Sequence, residues 1–208
     1  MLSDDDFYYS SHKDGFIIGR ESEDITNGLK NLASTDCVVP RTFQNKRVYG
    51  FSYRCFHSAP NIIRAFIPNT ITYFNSDTFM HCTKLKEIHF EEGFRNVYLS
   101  GYVLIDTSIT SFRFPLGCTI GQYFFQSSKI EYIYIYDFMA YNDNNIFDLC
   151  EQTINIYVPL NYPYETFGGR PVTKILPNYI FINKSKGIEI FCLYNRFIPI
   201  LPFIFLFA

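Results

Sequence analysis

Charged residues are scarce in this chain, and neither sign dominates them. They make up 18% of the 208 residues, with 18 Lys and Arg against 20 Asp and Glu, for a formal net charge of −2. Binding to nucleic acid or to an anionic membrane depends largely on clustered positive charge. The composition therefore excludes a strongly basic binding protein, and we expect no nucleic-acid partner.

Recognisable catalytic and cofactor-binding motifs are also missing. The sequence contains no GxSxG, no HExxH and no glycine-rich phosphate loop, and its four histidines lack partners at the short spacings typical of metal sites. YNDNNIFD, residues 141–148, lacks the central glycine and final glutamate of a calcium loop, and FGGR, residues 167–170, is typical of a tight turn. We therefore expect no enzyme, no cofactor and no metal site.

Cysteine pairs of the CxxC type are absent, although six cysteines are spread along the chain: Cys37, Cys55, Cys82, Cys118, Cys150 and Cys192. Disulfide frameworks are typical of small, cysteine-dense secreted domains, so we predict free and mostly buried thiols. The N-terminus, MLSDDDFYYSSHKDG, also lacks the basic start and apolar run of a secretory signal peptide. Three interpretations stay open: the protein remains inside the cell, it leaves by another route, or the true start lies upstream.

Aromatic residues, by contrast, are abundant. The chain has 23 Phe and 17 Tyr but no Trp, and 48% of its residues are hydrophobic. That much apolar side chain can bury a core, which argues against disorder across the whole chain. A bias toward Phe, Tyr, Ile, Asn and Lys could also reflect an AT-rich genome, so the abundance by itself indicates no function.

The apolar residues recur with a period close to 23. One ladder consists of Phe56, Phe79, Tyr102 and Phe125, and a second of Phe51, Phe74, Val97 and Ile120. Apolar strands end at steps of 21 to 24 residues, at Ile67, Phe90, Phe114, Ile135 and Val158. A period in the twenties predicts a solenoid, in which each unit buries its apolar face by stacking on its neighbours.

Within one unit the apolar spacing changes. In DTFMHCTKLKEIHF, Phe79, Cys82 and Leu85 are three residues apart, as in a turn of helix or a tight coil. Ile88 and Phe90 are two apart, as in a short strand. Each unit is therefore predicted to be a coil followed by a strand, with the stacked strands forming a parallel sheet.

These units resemble BspA-type leucine-rich repeats. In IPNTITYFNSDTFMHCTKLKEIHF, a proline, an aromatic residue, a cysteine and then Leu and Ile follow in the order of that family, and TIGQYFFQSSKIEYIYI is similar. IFDLCEQTINIYVPLNYPYETFGGRPVTKI resembles the closing unit of protozoan members. The resemblance covers residues 38–176. It implies an α/β-type repeat solenoid, an irregular array of about five units of about 23 residues with a short-strand parallel sheet on one face.

Three features depart from the family pattern. EEGFRNVYLSGYVLIDTSITSFRF lacks the small residue after its aromatic residue, Thr153 stands where Leu is expected, and RTFQN is additional after Pro40. We expect irregular coils there. Residues 1–37 are expected to be an N-terminal tail or cap, with one or two helical turns around the apolar residues Ile25, Leu29 and Leu32.

Residues 177–208 form a C-terminal apolar extension. Twelve residues follow Arg196, and Pro199 and Pro202 interrupt them, whereas a membrane helix needs about 20 apolar residues. A spanning helix is therefore not expected. A last strand packed on the solenoid and an exposed tail stay open, with membrane attachment as a lesser alternative.

The outward-facing residues of the strands are the candidate partner-binding site: Glu87, His89, Arg113, Tyr132, Tyr134, Tyr136 and Tyr157. Solenoids bind partners on such extended faces, and tyrosine offers a large area with few rotatable bonds and a polar tip. Because β-sheets favour tyrosine in any case, a purely structural role is the alternative. The resemblance implies a non-enzymatic, surface or adhesion-type module that binds protein or glycan there, as in bacterial and protozoan members. An intracellular scaffold is the alternative function.

Overall fold

The computed structural model describes residues 4–20, 28–137, 144–175, 179–184 and 187–192. These residues form strands β1 to β17, two short 3-10 helices (Asp4–Asp6 and Asn144–Phe147) and no α-helix. In chain order the strands are Tyr9–His12, Gly15–Ile18, Asp36–Val38, Thr42–Phe43, Lys46–Phe51, Arg64–Ile67, Tyr73–Phe74, Glu87–Phe90, Tyr98–Leu99, Ser111–Arg113, Thr119–Ile120, Tyr132–Tyr134, Asn155–Pro159, Thr166–Phe167, Arg170–Ile175, Tyr179–Lys184 and Gly187–Cys192.

The longer strand of each coil belongs to one of two parallel sheets. β3, β6 and β8 form the first main sheet, in which Cys37 and Ala65 are in register. β10, β12, β13 and β15 form the second main sheet, in which Phe112, Ile133 and Ile156 are in register and to which β14 adds an antiparallel edge. All five of these side chains are buried. Because side chains alternate across a strand, the residues between them face outward.

A further sheet lies on a second side of the coils, where the sequence analysis expected only one sheet. This side sheet has the strand order β1-β2-β5-β7-β9-β11, with β4 beside β5, and it is parallel from β2 onward. Phe51, Phe74 and Leu99 are in register on its inner side and fully or almost fully buried. Each coil therefore contributes two strands, one long and one short.

The additional residues RTFQN form a β-hairpin, so the expectation of an irregular coil there was wrong. Thr42 pairs with Arg47 and Phe43 with Lys46, around a turn in which Gln44 and Asn45 both have positive φ. Two positive φ values in a two-residue loop match the twist of the flanking strands. The FGGR turn follows the same rule, because Gly168 and Gly169 have φ of 55° and 73° between β14 and β15, as the sequence predicts.

The N-terminal residues join the solenoid through a hairpin. β1 and β2 pair antiparallel, and β2 pairs with β5, which places Phe7 and Ile18 in the core at 0% exposure. Leu29 and Leu32 lie outside any helix, and Ile25 falls outside the described residues. At the other end β16 and β17 form a separate antiparallel hairpin, and the apolar residues 193–208 also fall outside the described residues.

Turns, not helices, form the third side of each coil. Two residues four apart adopt left-handed backbone angles in successive coils: Arg54 and Ser58, Asp77 and His81, Tyr102 and Asp106, Tyr123 and Ser127. A left-handed residue interrupts the α-helical hydrogen-bond pattern and is costly for most side chains. Alternate amide groups instead donate to carbonyl groups of the next coil, as in Phe56 N to Thr78 O at 2.8 Å and Phe79 N to Val103 O at 3.0 Å.

The coil after β8 is out of phase with the 23-residue period. Phe74 pairs with Leu99, 25 residues later, and Leu99 pairs with Ile120, 21 residues later. Leu104, at 0% exposure, therefore takes the place of Phe79, whereas Tyr102 is 38% exposed. The two predicted ladders are wrong at Tyr102 and Val97. Because 25 and 21 add up to two periods of 23, the sequence period conceals the shift.

The same shift accounts for the apparently missing small residue in this coil. Thr107 lies three residues after Leu104, as Cys82 lies three after Phe79, and it is buried with its hydroxyl donating to the Leu104 carbonyl at 3.0 Å. Ser128 takes this place in the next coil and is also buried. The coil therefore keeps the family pattern, with a polar side chain whose hydrogen bond offsets the cost of burial.

Aromatic rings stack along the interior from coil to coil. Phe56 and Phe79 are stacked with centroids 4.9 Å apart, and Phe125 and Phe147 are stacked at 5.9 Å. All four are nearly or fully inaccessible to solvent. Aromatic burial of this kind is the main favourable contribution to the free energy of folding in a chain so rich in Phe.

The corrected phase can be tested by truncating Leu104 and Tyr102 separately. Leu104→Ala should lower the free energy of unfolding by about 2–5 kcal/mol, because it leaves a cavity in the stack. Tyr102→Ala should lower it by about 1 kcal/mol, since it loses only the stacked contact with Tyr123 at the surface. Urea denaturation measures both values, and a larger loss for Tyr102→Ala would restore the original phase.

Candidate partner-binding faces

The outer side of the first main sheet carries a ladder of opposite charges. Asp36, Arg64 and Glu87 are in register on adjacent strands. Arg64 donates Nε and an Nη to the two carboxylate oxygens of Asp36 at 2.8 and 2.7 Å, and this lowers the pKa of Asp36 below its usual value. A bidentate pair of this kind fixes both side chains. Two of the three charges therefore already have partners within the sheet.

His89 and Glu87, both predicted to face a partner, contact each other on this side. His89 Nε2 lies 2.7 Å from Glu87 Oε2, and the imidazole is stacked on Phe66 with centroids 4.9 Å apart. Both residues are exposed, at 50% and 54% of their side-chain area. The first main sheet thus presents a polar, accessible surface whose charges largely compensate one another.

The outer side of the second main sheet carries an arginine beside several tyrosines. Arg113, Tyr134 and Tyr157 are in register, and the two tyrosine rings are stacked with centroids 5.4 Å apart. The Arg113 guanidinium carbon lies 6.0 Å from the Tyr134 ring and 5.4 Å from the Tyr136 ring, within the range of cation–π attraction. Tyr132 is half-buried in the adjacent row.

Tyr134 is the most enclosed of these side chains. It is only 7% exposed, and burial raises its pKa to about 12, with smaller effects from Tyr157 and Tyr136. Arg113 is exposed, whereas Tyr136 and Tyr157 are half-buried. Arg113, Tyr132 and Tyr157 are therefore the side chains that a partner could contact, with Tyr134 as their support.

The two main sheets are separate, so the candidate residues form two surfaces and not the continuous one expected from the sequence. Among the described residues no backbone hydrogen bond joins β8 to β10. Ring contact is maintained below the sheets, with Phe90 and Phe112 5.9 Å apart. Ile88 and Phe90 are partly exposed at this break, unlike the inward residues of the other strands.

A third surface was missed by the sequence analysis and lies on the outer side of the side sheet. It presents His12, Tyr49, Tyr73 and Tyr98, together with the exposed Arg47 and Arg95. The available signal was the residue that precedes each buried apolar residue of the short strands. The shifted phase of the fourth ladder position concealed it, because Tyr98 is out of step with the period.

Comparison with known families accounts for the repeat. The family model of the BspA type leucine rich repeat region matches residues 31–119 and 107–175, in six copies. The chain belongs to this family of leucine-rich repeat proteins. The residues matched include both main sheets and all but the N-terminal hairpin of the side sheet.

Two solved leucine-rich repeat proteins share the fold. One, from T. pallidum, is 14% identical with a TM-score of 0.50, over 75% of this chain and 86% of the other. The other, from Bacteroides ovatus, is 17% identical with a TM-score of 0.53, over 78% of this chain and 50% of the other. No curated protein sequence matches the chain. The likeness supports the repeat architecture.

The cysteines of this leucine-rich repeat protein are buried and unpaired, as predicted, at the five positions that the structure describes: Cys37, Cys55, Cys82, Cys118 and Cys150. Cys82 and Cys150 donate their thiols to carbonyl groups of the preceding coil, to Phe56 O at 2.9 Å and Phe125 O at 3.1 Å. Burial raises the pKa of Cys82 to about 12. These thiols act as small core residues that hold neighbouring coils together.

Neither a metal centre nor a membrane-spanning helix is found in the part of the chain that the structure describes. No group of three or more His, Cys, Asp and Glu side chains is arranged there to hold a metal ion. Likewise, no helix in these residues is long and apolar enough to cross a membrane. The interpretations of the apolar tail concern residues 193–208, which lie outside this part.

His57 and His81 meet on the turn side of the coils. Their rings are 5.3 Å apart, His57 Nδ1 lies 2.8 Å from Ser58 Oγ, and His81 Nδ1 lies 3.2 Å from Asp106 Oδ2. His57 is only 8% exposed. Burial, followed by the neighbouring His81, lowers the pKa of His57 below 6.5.

This arrangement predicts a loss of stability at mildly acidic pH. The unfolded chain binds a proton at His57 more readily than the folded chain, so the contribution of His57 is present above about pH 6.5 and is lost as the pH falls below it. The free energy of unfolding, measured in urea between about pH 7.5 and 5.5, should fall less in His57→Gln than in the wild type. An identical fall in both proteins would contradict this assignment.

Proposed function

We propose that this leucine-rich repeat protein is a non-enzymatic binding module whose protein partner docks on the outer side of the second main sheet. The proposal depends mainly on one observation, the stack of Tyr134 on Tyr157 beside the exposed Arg113. Leucine-rich repeats are generally protein-interaction modules, and their proteins are typically non-enzymatic scaffolds. The proposal adds the location of the binding site to that general role.

Tyrosine and arginine are the side chains that dominate many protein interfaces. They combine a large contact area with hydrogen-bonding capacity, and their contribution is greatest where they are held rigidly before the partner arrives. Tyr134 is held by burial and stacking, and it supports Tyr157 and Arg113 at the surface. A partner can therefore bind these groups with little loss of side-chain entropy.

The first main sheet would contribute orientation more than affinity. Its Asp36–Arg64 pair and its Glu87–His89 pair are exposed and already engaged, and exposed ion pairs contribute little free energy. Charges at the edge of an interface act mainly on association rate and on the choice of partner. Glu87 and His89 thus belong to the rim of the proposed interface.

The cell surface is the setting that we propose, with adhesion as the role. An intracellular scaffold is the second candidate, and the free thiols favour it, because unpaired cysteines are typical of reducing compartments. Protease treatment of intact cells that produce an epitope-tagged chain separates the two. Digestion on intact cells supports the surface role, whereas digestion only after lysis supports the scaffold.

The binding site is tested with peptides and glycans as probes. Peptides selected from a displayed library against the full chain should lose about tenfold or more in affinity, roughly 1.4 kcal/mol, with Arg113→Ala or Tyr157→Ala. Tyr164→Ala is the matched control, since Tyr164 is 40% exposed outside this row. Circular dichroism checks that each variant is folded.

Three results would contradict the proposed site. The selected peptides could bind both variants as tightly as the wild type, or the Tyr164→Ala control could lose as much affinity. Alternatively, a glycan array could yield ligands that depend on Arg113 and Tyr157 while no peptide does, which would assign this surface to carbohydrate.

A further inference from the structure

The outer side of the side sheet has a row of side chains beside a flat floor. Gly50, Tyr73, Tyr98 and Thr119 are in register on four adjacent strands. Tyr98 is 52% exposed and Tyr73 is half-buried. Any Cβ at Gly50 would lie 2.5 Å from the Tyr73 carbonyl oxygen and 2.9 Å from its ring. Glycine at this place therefore leaves the Tyr73 ring lying along an otherwise bare strand.

Two more rings extend this surface toward the N-terminal hairpin. The His12 ring lies 5.6 Å from that of Tyr73 and 6.0 Å from that of Tyr49. The Arg47 guanidinium carbon lies 4.7 Å from the Tyr49 ring, and its Nε donates to the Thr70 carbonyl at 3.0 Å. The aromatic surface thus continues over several strands, and Arg47 is held in place at its edge.

Positive charge borders the same surface. Arg47 lies three residues before Gly50, and Arg95 lies three residues before Tyr98, so both precede the short strands on the same side of the row. Gly50 and Tyr98 are two strand separations apart, about 9.6 Å. Both arginines are exposed, and the described structure records no ion pair for either of them.

The hairpin turns nearby add two more cations. Lys13 and Lys46 are exposed at the turns of the β1–β2 and β4–β5 hairpins. The one carboxylate in these two turns, that of Asp14, accepts a hydrogen bond from the Tyr49 hydroxyl and lies in the electrostatic field of Arg47 and Lys13. A chain with a net charge of −2 therefore has a local excess of positive charge at this surface.

We propose that this outer side of the side sheet binds an anionic oligosaccharide, with the tyrosine and histidine rings against the sugar rings and the arginines and lysines on sulfate or carboxylate groups. Aromatic faces suit the C–H faces of a pyranose ring, which are weakly positive. Guanidinium groups bind sulfate and carboxylate through paired hydrogen bonds. Two strand separations are roughly the length of one disaccharide, so successive acidic groups could reach Arg47 and Arg95.

The hydrogen-bonding groups on this surface favour a glycan over a peptide. Arg47, Arg95, Lys13 and Lys46 are donors only, and the one fixed carboxylate, Asp14, is already engaged. The inner strands of the side sheet have partners on both edges, so they offer no free backbone edge to an extended peptide. A ligand rich in acceptors matches this surface better than one that brings amide donors.

Calorimetric titration of the full chain with a heparin-derived oligosaccharide tests the site. Tyr98→Ala and the double variant Arg47→Gln/Arg95→Gln should each weaken binding by about tenfold or more, and affinity should fall as salt is raised. Lys86→Gln/Lys129→Gln is the control of equal charge change at exposed lysines elsewhere, and Tyr102→Ala is the control for an exposed tyrosine. Both controls should stay within about twofold of the wild type.

Several results would overturn the proposal: no saturable binding by the wild type, equal weakening by the lysine control, or equally tight binding of neutral dextran oligosaccharides. Tighter binding of oligothymidylate or of an oligoglutamate peptide would assign the surface to nucleic acid or to an acidic protein instead. Arg113→Ala should leave heparin binding unchanged, so failure here is distinguishable from failure of the protein-binding site on the second main sheet.

Discussion

Hydrogen bonding of each coil to the next is the interaction on which the rest of this structure depends. The coils have little regular structure of their own, since strands of two to six residues alternate with turns that contain left-handed residues. Their amide groups find partners mainly in the neighbouring coil, as in Ser58 N to Met80 O and Leu104 N to Phe124 O. A buried amide without a partner is costly, so the coils must stay aligned on all sides where the interior is closed. The apolar interior supplies the driving force, and the hydrogen bonds set the alignment.

This constraint explains where the solenoid tolerates irregularity. The loop between β8 and β9 is longer, and the register of both the side sheet and the turns moves by the same two residues, so that hydrogen bonding continues on those two sides. Only the main sheets fail to follow, and the break between β8 and β10 results. Partial exposure of Ile88 and Phe90 is the local cost of that break. It also divides the outer strand surface into a charge-compensated half and a half with arginine and tyrosine, which differ in what they can bind.

Much of the repeat could be predicted because burial repeats with the coil. Phe51, Phe56, Phe74 and Phe79 are all in the core, as their spacing indicated, and Phe114, Ile135 and Val158 close successive strands. The turns could not be predicted, since spacings of three are shared by helices and by successive turns, and positive φ at residues such as Arg54 and Tyr102 has no clear sequence signal. Of the candidate site, the outward direction of Glu87, His89 and Arg113 was predictable from alternation. The burial of Tyr134 was not, because it depends on what lies beside it.

The sequence by itself determined that the chain is a leucine-rich repeat solenoid with free, buried cysteines, because apolar periodicity and residue type act locally and recur in every coil. Only the tertiary structure decided the phase of the coil that contains Leu104, the separation of the two main sheets and the surface formed by His12, Tyr49, Tyr73 and Tyr98. These features arise from contacts between residues about one coil or more apart in sequence. A compensated change of 25 and 21 residues leaves the average period intact, and the register of hydrogen bonds between coils is what reveals it.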